Sequence, residues 1–489
     1  MKTNRRSFFK IAGAAGAGVL AGSSLSSCKP NDKNQPAGPF ASIKELSDKV
    51  HSQVFNMSGY AAPKIDVVRV GVIGLGNRGP GAVERLSKIE GVEIKALCDK
   101  LPRGVERGQK ILEKNGLPAA RSYTGNPEIW KELCQSDDLD LIYITTPWNL
   151  HATMAVYAME HGKHAVSEVP ACTTLEEAWQ LVETSEKTKK HCMMLENCCY
   201  DFFELLTLNM ARQGFFGEVL HVEGAYIHDL LKANFQKDSY VDMWRLKENQ
   251  HRIGNLYPTH GLGPICQVLN VNRGDRMDYL TSMSTNDFQM APLAEEIAKS
   301  DSFYNEFVTK GYRGNMNTTV VRTEKGKTLM IQHDVTSPRP YSRIHLVSGT
   351  KGIAQKYPEP GRIATAHEWF DEAKMKEIET QYTPEIVKRI GELAKQIGGH
   401  GGMDFMMDWR LIDCLRNGLP LDQDVYDAAL WSSIAPLSEW SVANRSNSIT
   451  VPDFTCGSYK SNAPVDITLS KGGNTGVRTN TKSGSQLTL

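Results

Sequence analysis

A short glycine-rich segment is the part of the sequence whose spacing points most directly to chemistry. Gly74, Gly76 and Gly79 follow the apolar run 67–73. Where such a turn joins a strand to a helix, backbone N–H groups and the helix N-terminus can approach a pyrophosphate. The segment therefore predicts a dinucleotide site. The competing interpretation is a fold of the same kind whose glycines serve only its turns.

An acidic residue indicates which dinucleotide is bound. Asp99 ends the next apolar run, 92–98, about 20 residues after Gly79, which is the spacing of the ribose-binding carboxylate in dinucleotide folds. A carboxylate at this place accepts hydrogen bonds from the adenosine ribose and repels a 2′-phosphate. We therefore expect NAD rather than NADP.

Two further segments are expected at the same site, because ligands of open parallel sheets bind beyond the carboxyl ends of the strands. Residues 145–151 and 167–170 each follow an apolar run that reads as a buried strand. Both segments contain polar and aromatic side chains suited to contact a cofactor.

The elements that must hold these segments alternate between strand and helix. The predicted strands are 67–74, 92–99, 139–146, 164–168 and 192–196, and the predicted helices are 79–89, 104–115, 151–161 and 175–189. This alternation is typical of a doubly wound parallel sheet, so an α/β Rossmann domain is predicted over residues 64–200.

The pattern changes after a predicted helix at 202–213. Longer strands without intervening helices are predicted at 219–228, 317–322, 328–335 and 343–348, with closing helices at 403–416 and 425–443. They predict a C-terminal α+β domain with an open, largely antiparallel sheet over residues 201–456. Residues 29–63 read as a polar tether with a short helix near 43–54, and residues 457–489 as a polar tail.

The N-terminal 28 residues read as an export signal. Arg5 and Arg6 precede a weakly apolar stretch, 11–22, which resembles a twin-arginine signal for the export of folded proteins. The sequence before Cys28 resembles a lipobox, so Cys28 is expected to carry lipid and to anchor the protein in the periplasm or cell envelope. The alternative is an ordinary cleaved signal with an incidental cysteine.

Composition excludes several classes of function. The 56 basic and 56 acidic residues of the 489 leave no net charge, which argues against a nucleic-acid partner. No run beyond the N-terminus is long enough to cross a bilayer, so membrane contact is expected only through the lipid anchor. The cysteines form no CxxC pair and read as buried free thiols, and the 13 histidines show no zinc-binding spacing, so no metal is predicted.

Several segments together carry a family resemblance from Val68 to Asp453. The chain resembles glycoside hydrolase family 109, a branch of the glucose-fructose oxidoreductase and inositol dehydrogenase group (Gfo/Idh/MocA), at residues 148–151, 168–170, 196–197, 244–245 and 254–261. The wider group carries Glu-Lys-Pro at 168–170, where this chain has Val169 in place of the lysine. A valine transfers no proton, which argues against a simple alcohol dehydrogenase.

The resemblance implies an exported glycosidase with bound NAD that removes terminal α-N-acetylgalactosamine from a glycan. The implied reaction differs from the two-carboxylate displacement of most glycosidases. NAD⁺ takes hydride from C3 of the sugar, a base removes the C2 proton and the aglycone leaves from C1. Water then adds and the hydride returns, with no net redox change.

The resemblance also assigns residues. NAD would be held by Gly74, Gly76, Asn77, Arg78, Gly79, Asp99, Trp148, Asn149, Leu150, His151, Glu168, Val169 and Asn197. The sugar would be contacted by Tyr226, Arg245, Tyr257, Pro258, Thr259, His260 and Tyr341.

Two residues compete for the role of catalytic base. A histidine side chain has an ordinary pKa near neutrality, which favours His260, whereas a tyrosine such as Tyr257, with an ordinary pKa of about 10, needs activation. Each has a plain structural alternative, His260 as a hydrogen-bonding group and Tyr257 as core. His400, in a glycine-rich turn before a helix that carries Asp404 in its first turn, is a weaker candidate for the pocket.

Two rival functions stay open at this point. One is a periplasmic NAD(P)-dependent sugar oxidoreductase of the same fold, and the other is a sugar-binding lipoprotein without activity. A homo-oligomer is also compatible with the sequence, although no segment specifies one.

Overall fold

Two β-sheets carry the fold. The computed structural model describes residues 41–309 and 311–478, so the predicted export signal, Cys28 and the last residues of the chain lie outside it. The described residues belong to one compact unit.

The first sheet has six strands, all parallel, in the order β3-β2-β1-β4-β5-β6. The strands are β1 Val68–Ile73, β2 Val92–Cys98, β3 Arg121–Tyr123, β4 Leu141–Ile144, β5 His164–Ser167 and β6 Cys192–Met194. Central strands such as β4 are buried at every residue, as expected for a sheet covered by helices on both faces. The predicted Rossmann sheet is confirmed, with β3 in addition.

Six helices belong to this part of the chain: α1 Ala41–Ser47, α2 Gly79–Leu86, α3 Pro102–Lys114, α4 Trp130–Cys134, α5 Trp148–Glu160 and α6 Leu175–Thr188. Helix α5 begins three residues before its predicted start at His151, because Pro147 takes the N-cap position and cannot continue the strand. This brings Trp148, Asn149 and His151 into the first turn of a helix, at the carboxyl edge of the sheet.

The second sheet has eight strands in the order β13-β12-β11-β7-β10-β9-β8-β14. They are β7 Val219–Ile227, β8 Met277–Ser284, β9 Met316–Thr323, β10 Thr328–Asp334, β11 Leu346–Gly349, β12 Ile353–Gln355, β13 Arg362–Ala364 and β14 Ile449–Thr450. All pairs are antiparallel except β7 with β10. The predicted α+β class is confirmed, whereas β8 and the short strands β12–β14 were not predicted.

The remaining helices are α7 Phe202–Arg212, α8 Leu231–Asn234, α9 Trp244–His251, α10 Thr259–Leu269, α11 Met290–Ala298, α12 Glu372–Tyr382, α13 Glu385–Ile397, α14 Met403–Asn417 and α15 Val425–Ala443. Helix α10 lies very close to β7, since a Cβ added at Gly224 would come within 2.9 Å of the Gly261 Cα. Two facing glycines therefore bring the start of α10 against the end of β7.

Helix α14 joins the two halves of the chain. Its Asp408 is fully buried and accepts hydrogen bonds from Arg85 of α2 at 2.6 Å and from the hydroxyl of Tyr143 of β4 at 2.8 Å. A helix that follows the second sheet in sequence is thus anchored to the first sheet. Asp404, one turn earlier, comes to lie near the glycine-rich loop.

The described parts of the predicted tether and of the predicted polar tail both pack against the rest of the protein. In residues 41–63, the backbone N–H of Val54 donates to Glu186 at 2.8 Å, and Met57 is buried. In residues 457–478, the indole of Trp409 donates to the Thr475 carbonyl at 2.9 Å. In the part of the chain that the structure covers, no helix has the length and apolar character of a membrane span.

Candidate active site

The glycine-rich loop leaves room for a pyrophosphate. Gly74 has φ +91°, and a Cβ there would lie 2.8 Å from the carbonyl carbon of Thr145, so only glycine fits. A Cβ at Gly76 would meet no atom within 4 Å, so its side toward the cleft is open. Helix α2 starts at Gly79 and points its N-terminus at this space. The loop fits the dinucleotide predicted from its sequence.

Asp99 supports the loop as well as facing the cofactor edge. Its carboxylate accepts the backbone N–H of Leu75 at 2.7 Å and that of Leu101 at 2.8 Å. The guanidinium of Arg107 donates to the carbonyls of Leu75 and Gly76 from the other side. Each carboxylate oxygen of Asp99 keeps a second lone pair for a ribose hydroxyl. The carboxylate chemistry fits NAD.

Arg78 connects the loop to distant parts of the chain. Its Nε donates to Glu168 at 2.9 Å, and its Nη2 lies 3.3 Å from Asp404. Asp404 also accepts a hydrogen bond from the side-chain amide of Asn197. Arg78 and Asn197, both predicted to hold NAD, are thus joined through Asp404, for which the sequence had indicated no role, and Arg78 also binds Glu168.

His151 differs from the other residues predicted to hold NAD. It is 0% exposed, and its ring nitrogens each lie 2.7 Å from a backbone carbonyl, of Thr146 and of Pro170. It therefore connects the two strand-end segments, 145–151 and 167–170, as a buried structural residue. Val169 is buried as well, whereas Asn149 and Leu150 are exposed at the start of α5.

Aromatic rings and one arginine form a cluster around Trp148. Trp148 stacks on Tyr257 with ring centroids 5.4 Å apart, and Tyr226 lies 4.7 Å from Tyr257. The Arg245 guanidinium lies 5.4 Å from the Trp148 ring and 5.3 Å from the Tyr257 ring, within cation–π range. Residues predicted to contact NAD and residues predicted to contact the sugar thus meet in one cluster. Tyr240, which accepts a hydrogen bond from Arg245 at 2.8 Å, was not predicted.

Burial affects the chemistry of Tyr257. The side chain is 8% exposed, and its burial, followed by the charge that Tyr226 would carry, raises the pKa of Tyr257 well above its ordinary value, although Arg245 acts in the opposite direction. Tyr257 is therefore a neutral hydrogen-bond donor at physiological pH. This makes it a poor base as it stands.

His260 is paired with a buried carboxylate. Its Nδ1 lies 2.7 Å from Oε1 of Glu196, a residue that is 0% exposed. Burial raises the pKa of Glu196, but the charge and hydrogen bond of His260 outweigh it, so the net pKa lies below the ordinary value. An ionised carboxylate on Nδ1 orients the ring and leaves Nε2 for proton transfer. The sequence had indicated Glu196 only as part of a family motif.

A second histidine–carboxylate pair, His400 with Asp404, lies next to Arg78 of the glycine-rich loop. Nδ1 of His400 lies 2.9 Å from Asp404, and the His400 side chain is 53% exposed. Burial disfavours ionised Asp404, but His400, Arg85 and Arg78 hold its pKa well below the ordinary value. Burial lowers the pKa of His228, and the charges of Arg245, His260 and His400 act in the same direction. His400, a weaker candidate for the pocket from the sequence, thus lies 3.4 Å from Arg78, a residue predicted to hold NAD.

The other predicted sugar contacts surround this centre. Tyr341 is 37% exposed and lies 6.3 Å from Tyr226 between ring centroids. Pro258 caps helix α10, and Thr259 is buried beside Glu196 in its first turn. Pro258 and Thr259 thus position His260 in the sequence stretch that the family resemblance singled out.

The cysteines and the metal prediction concern the same region. Within the described residues all nine cysteines are free, and eight of them are buried, as predicted.

Three side chains could in principle hold a metal ion, since Glu196, Cys198 and His260 bring donor atoms within 4.8 Å of one another. The His260–Glu196 contact has hydrogen-bond length, however, and burial raises the pKa of Cys198 well above that of a free thiol, whereas zinc binds thiolate. The geometry is that of an acid–base pair, and a metal-free site stays a prediction.

Comparison with known proteins identifies the family. A model of the C-terminal domain of glycosyl hydrolase 109 matches residues 200–461, and a model of the NAD-binding Rossmann fold of the Gfo/Idh/MocA oxidoreductase family matches residues 68–196. The glycosyl hydrolase family 109 protein 1 of Bacteroides thetaiotaomicron is 48% identical over 457 residues, covering 90% of this chain and 96% of that protein. The chain belongs to glycosyl hydrolase family 109.

Other comparisons agree with this membership. A relative named alpha-N-acetylgalactosaminidase, from Bacteroides fragilis, is 51% identical over 407 residues, covering 82% of this chain and 95% of that protein. A solved structure of levoglucosan dehydrogenase with NADH has a TM-score of 0.59 at 16% identity, covering 79% of this chain and 99% of that one. At such identity the solved structure supports the fold alone. This family 109 member is a glycosidase on an NAD-binding fold, and the predicted family, enzyme class and cofactor are confirmed.

Proposed function

We propose that this glycosidase removes terminal α-linked N-acetylgalactosamine from glycans, with NAD recycled in each turnover. The observation that carries the proposal is the His260–Glu196 pair, placed beside the aromatic cluster where the predicted NAD and sugar contacts meet. The sugar itself is inferred from the relative named alpha-N-acetylgalactosaminidase, which is 51% identical to this chain.

The residues present fit the cofactor. The open side of Gly76, the N-terminus of α2 and the carboxylate of Asp99 would hold NAD, with Trp148 beside the sugar cleft. When bound, NAD supplies reversible hydride transfer with a sugar carbon. Val169 offers no proton at the position where dehydrogenases of the wider group carry lysine. Proton transfers must therefore come from other side chains.

His260 is the base in this proposal. Its Nδ1 is held by ionised Glu196, so Nε2 can accept a proton and the resulting imidazolium is stabilised. Tyr257, neutral because of its burial, lies with its ring 4.9 Å from the His260 ring and donates a hydrogen bond to a sugar oxygen. Arg245 supplies a permanent positive charge beside the same rings, which favours negative charge that develops on the sugar.

His400 is the second proton-transfer group. Its ring is half exposed and is held by Asp404, so it can reach a group at the mouth of the cleft. Loss of the aglycone requires a proton on the leaving oxygen, and the later addition of water requires a proton acceptor. We assign these two transfers to His400.

The test is hydrolysis of an aryl α-N-acetylgalactosaminide by the purified holoenzyme with no cofactor added. Release of the aryl alcohol without net NADH is expected, whereas accumulation of NADH would favour the sugar oxidoreductase. Binding without turnover would favour the inactive sugar-binding protein. Turnover in D₂O should place deuterium at C2 of the released sugar, because the C2 proton is exchanged through His260. Aryl β-glycosides and the corresponding glucosamine and galactose substrates test sugar and anomer.

We also propose twin-arginine export and a lipid anchor on Cys28. Support comes from the paired Arg5 and Arg6 and from the lipobox-like sequence before Cys28. Export of an already folded protein allows NAD to be loaded before the protein leaves the cytoplasm. Replacement of both arginines by lysine should abolish export, and Cys28→Ala should move the exported protein from the membrane fraction to the soluble fraction. A membrane-bound Cys28→Ala protein would exclude the anchor.

A further inference from the structure

One segment of the second half of the chain runs past three strand ends of the first sheet. Residues 239–245, here called the strap, comprise the link after α8 and the start of α9. The strap contacts one residue from the loop after β1, one after β2 and one after β4.

The three contacts differ in kind. The side-chain amide of Asn77, in the glycine-rich loop after β1, donates to the Ser239 carbonyl at 2.5 Å. The ammonium of Lys100, immediately after Asp99, lies 2.8 Å from the carboxylate of Asp242. The ring of Trp244 lies 5.1 Å from Trp148, which follows β4.

These three strand ends are the places where a dinucleotide lies in a doubly wound sheet. The adenosine ribose binds at the carboxylate after the second strand, the pyrophosphate at the glycine-rich loop after the first, and the nicotinamide farther along the carboxyl edge. A segment that contacts all three from the opposite domain lies along the length of the cofactor. We propose that residues 239–245 are a strap that closes over NAD and slows its release.

The backbone of the strap has a defined kink at Asp242 and Met243. Asp242 has φ 56° and Met243 has φ 53°, so two consecutive residues other than glycine adopt the left-handed conformation. Met243 is 3% exposed and anchors the kink in the core, and Tyr240 is held by Arg245. The kink turns the Asp242 carboxylate toward Lys100, although both side chains remain accessible to solvent.

If the strap retains NAD, variants of its contacts should release NAD faster, and this can be measured without a sugar substrate. Holoenzyme is loaded with radiolabelled NAD, freed of unbound nucleotide and chased with excess unlabelled NAD, and the retained label is followed by rapid filtration. Asp242→Asn removes the charge and keeps a side chain that tolerates the left-handed conformation. Asp242→Asn and Lys100→Met should each accelerate release about two- to five-fold, the range expected of an exposed ion pair.

Two further variants make the result specific. The exchanged pair Lys100→Asp with Asp242→Lys should restore slow release. Asp138→Asn removes another exposed carboxylate, paired with Arg121 of the first sheet, and should leave release unchanged. Unchanged release in both single strap variants, or equal acceleration by Asp138→Asn, would overturn the proposal.

Hydrogen–deuterium exchange provides a second readout. The backbone amides of residues 239–245 should exchange more slowly in NAD-loaded protein than in protein stripped of NAD, and equal exchange would also contradict the strap. The inference rests on the proposed use of NAD as a retained cofactor. Hydrolysis by the wild-type enzyme with saturating NAD tests the proposed function separately, so the two failures are distinguishable.

Discussion

Two histidine–carboxylate pairs, connected where Asn197 beside Glu196 donates to Asp404, differ in their burial. In the first pair, His260 is 14% exposed at its side chain and Glu196 is 0% exposed, whereas in the second, His400 is 53% exposed above a buried Asp404. The carboxylates are alike in being buried and ionised. The two histidines differ in side-chain exposure, and His260 is the more tightly packed of the two.

The backbone explains the difference. His260 lies in the first turn of α10, which facing glycines hold against β7, and its ring packs on Tyr226 and Tyr257. His400 lies in residues 398–402, where all five residues have positive φ. The first pair suits proton abstraction at a fixed carbon of the sugar ring, and the second suits proton transfer to aglycones of varied shape.

The largest effect is expected for His260→Ala. Loss of the base should lower kcat for aryl N-acetylgalactosaminides about 10³-fold and abolish deuterium incorporation at C2. Tyr257→Phe should lower kcat less, because a neutral donor and not a base is removed. His161→Ala, which changes a histidine bound to a backbone carbonyl on α5, is the control. A larger loss in Tyr257→Phe than in His260→Ala would reverse the assignment.

Glu196→Gln should have the next largest effect. The neutral amide keeps the shape of the side chain but no longer stabilises the imidazolium, so kcat should fall about 10²-fold and the acid limb of the kcat/KM profile should move to lower pH. Glu186→Gln replaces another buried glutamate, one that binds the backbone of Val54, and should leave the pH profile unchanged. An unchanged profile in Glu196→Gln would show that the pair is only structural.

His400→Ala should discriminate between leaving groups. An alkyl glycoside needs its oxygen protonated, whereas a nitrophenolate leaves without help. The loss should therefore be about 10²-fold for alkyl glycosides and much smaller for nitrophenyl glycosides. His367→Ala, at an exposed histidine outside the cleft, serves as the control. Equal losses for both substrates would remove His400 from its proposed role.

Asp404→Asn should weaken both the His400–Asp404 pair and the binding of NAD. Asp404 is bonded to His400, Arg78 and Asn197, so its neutralisation should raise the Kd for NAD about tenfold, measured by titration of protein stripped of cofactor. Asn417→Asp, which alters a partly buried residue three turns farther along α14, should leave the Kd unchanged. An unaltered Kd in Asp404→Asn would restrict Asp404 to supporting His400.

The smallest effect concerns stability at acid pH. Because the pKa of Asp404 is lowered by folding, its contribution to the free energy of unfolding is present above the unfolded pKa of about 3.9 and is lost as the pH falls through the folded pKa. Wild type should exceed Asp404→Asn by about 1–3 kcal/mol at pH 7, and the difference should shrink below pH 4. Denaturant titrations at both pH values measure it, and a constant difference would contradict the shift.

Features formed by neighbouring residues could be predicted from the sequence. The apolar runs and Gly74, Gly76 and Gly79 encode local backbone geometry, so the parallel sheet and its cofactor loop were found with nearly correct bounds. The start of α5 was missed by three residues because Pro147 occupies the N-cap. The two- and three-residue strands of the second sheet were missed because so short a run has no readable period.

The pairings within the site could not be predicted in the same way. Glu196 lies 64 positions from His260 in the chain, and Asp404 lies 326 positions from Arg78. Nothing in the local pattern of either carboxylate indicates its partner. Each is a polar residue at the end of an apolar element, a position that caps and turns also favour.

By itself, the sequence determined the fold class, the NAD loop with Asp99, and the family with its candidate histidine. Backbone preferences and side-chain periodicity act over a few residues, and these features depend on nothing longer. Only the tertiary structure decided that His260 is held by Glu196, that His400 joins the cleft through Asp404, and that residues 239–245 cross the cofactor edge. Those contacts exist because α10 packs on β7 and α14 on the first sheet, and packing is a property of the whole chain.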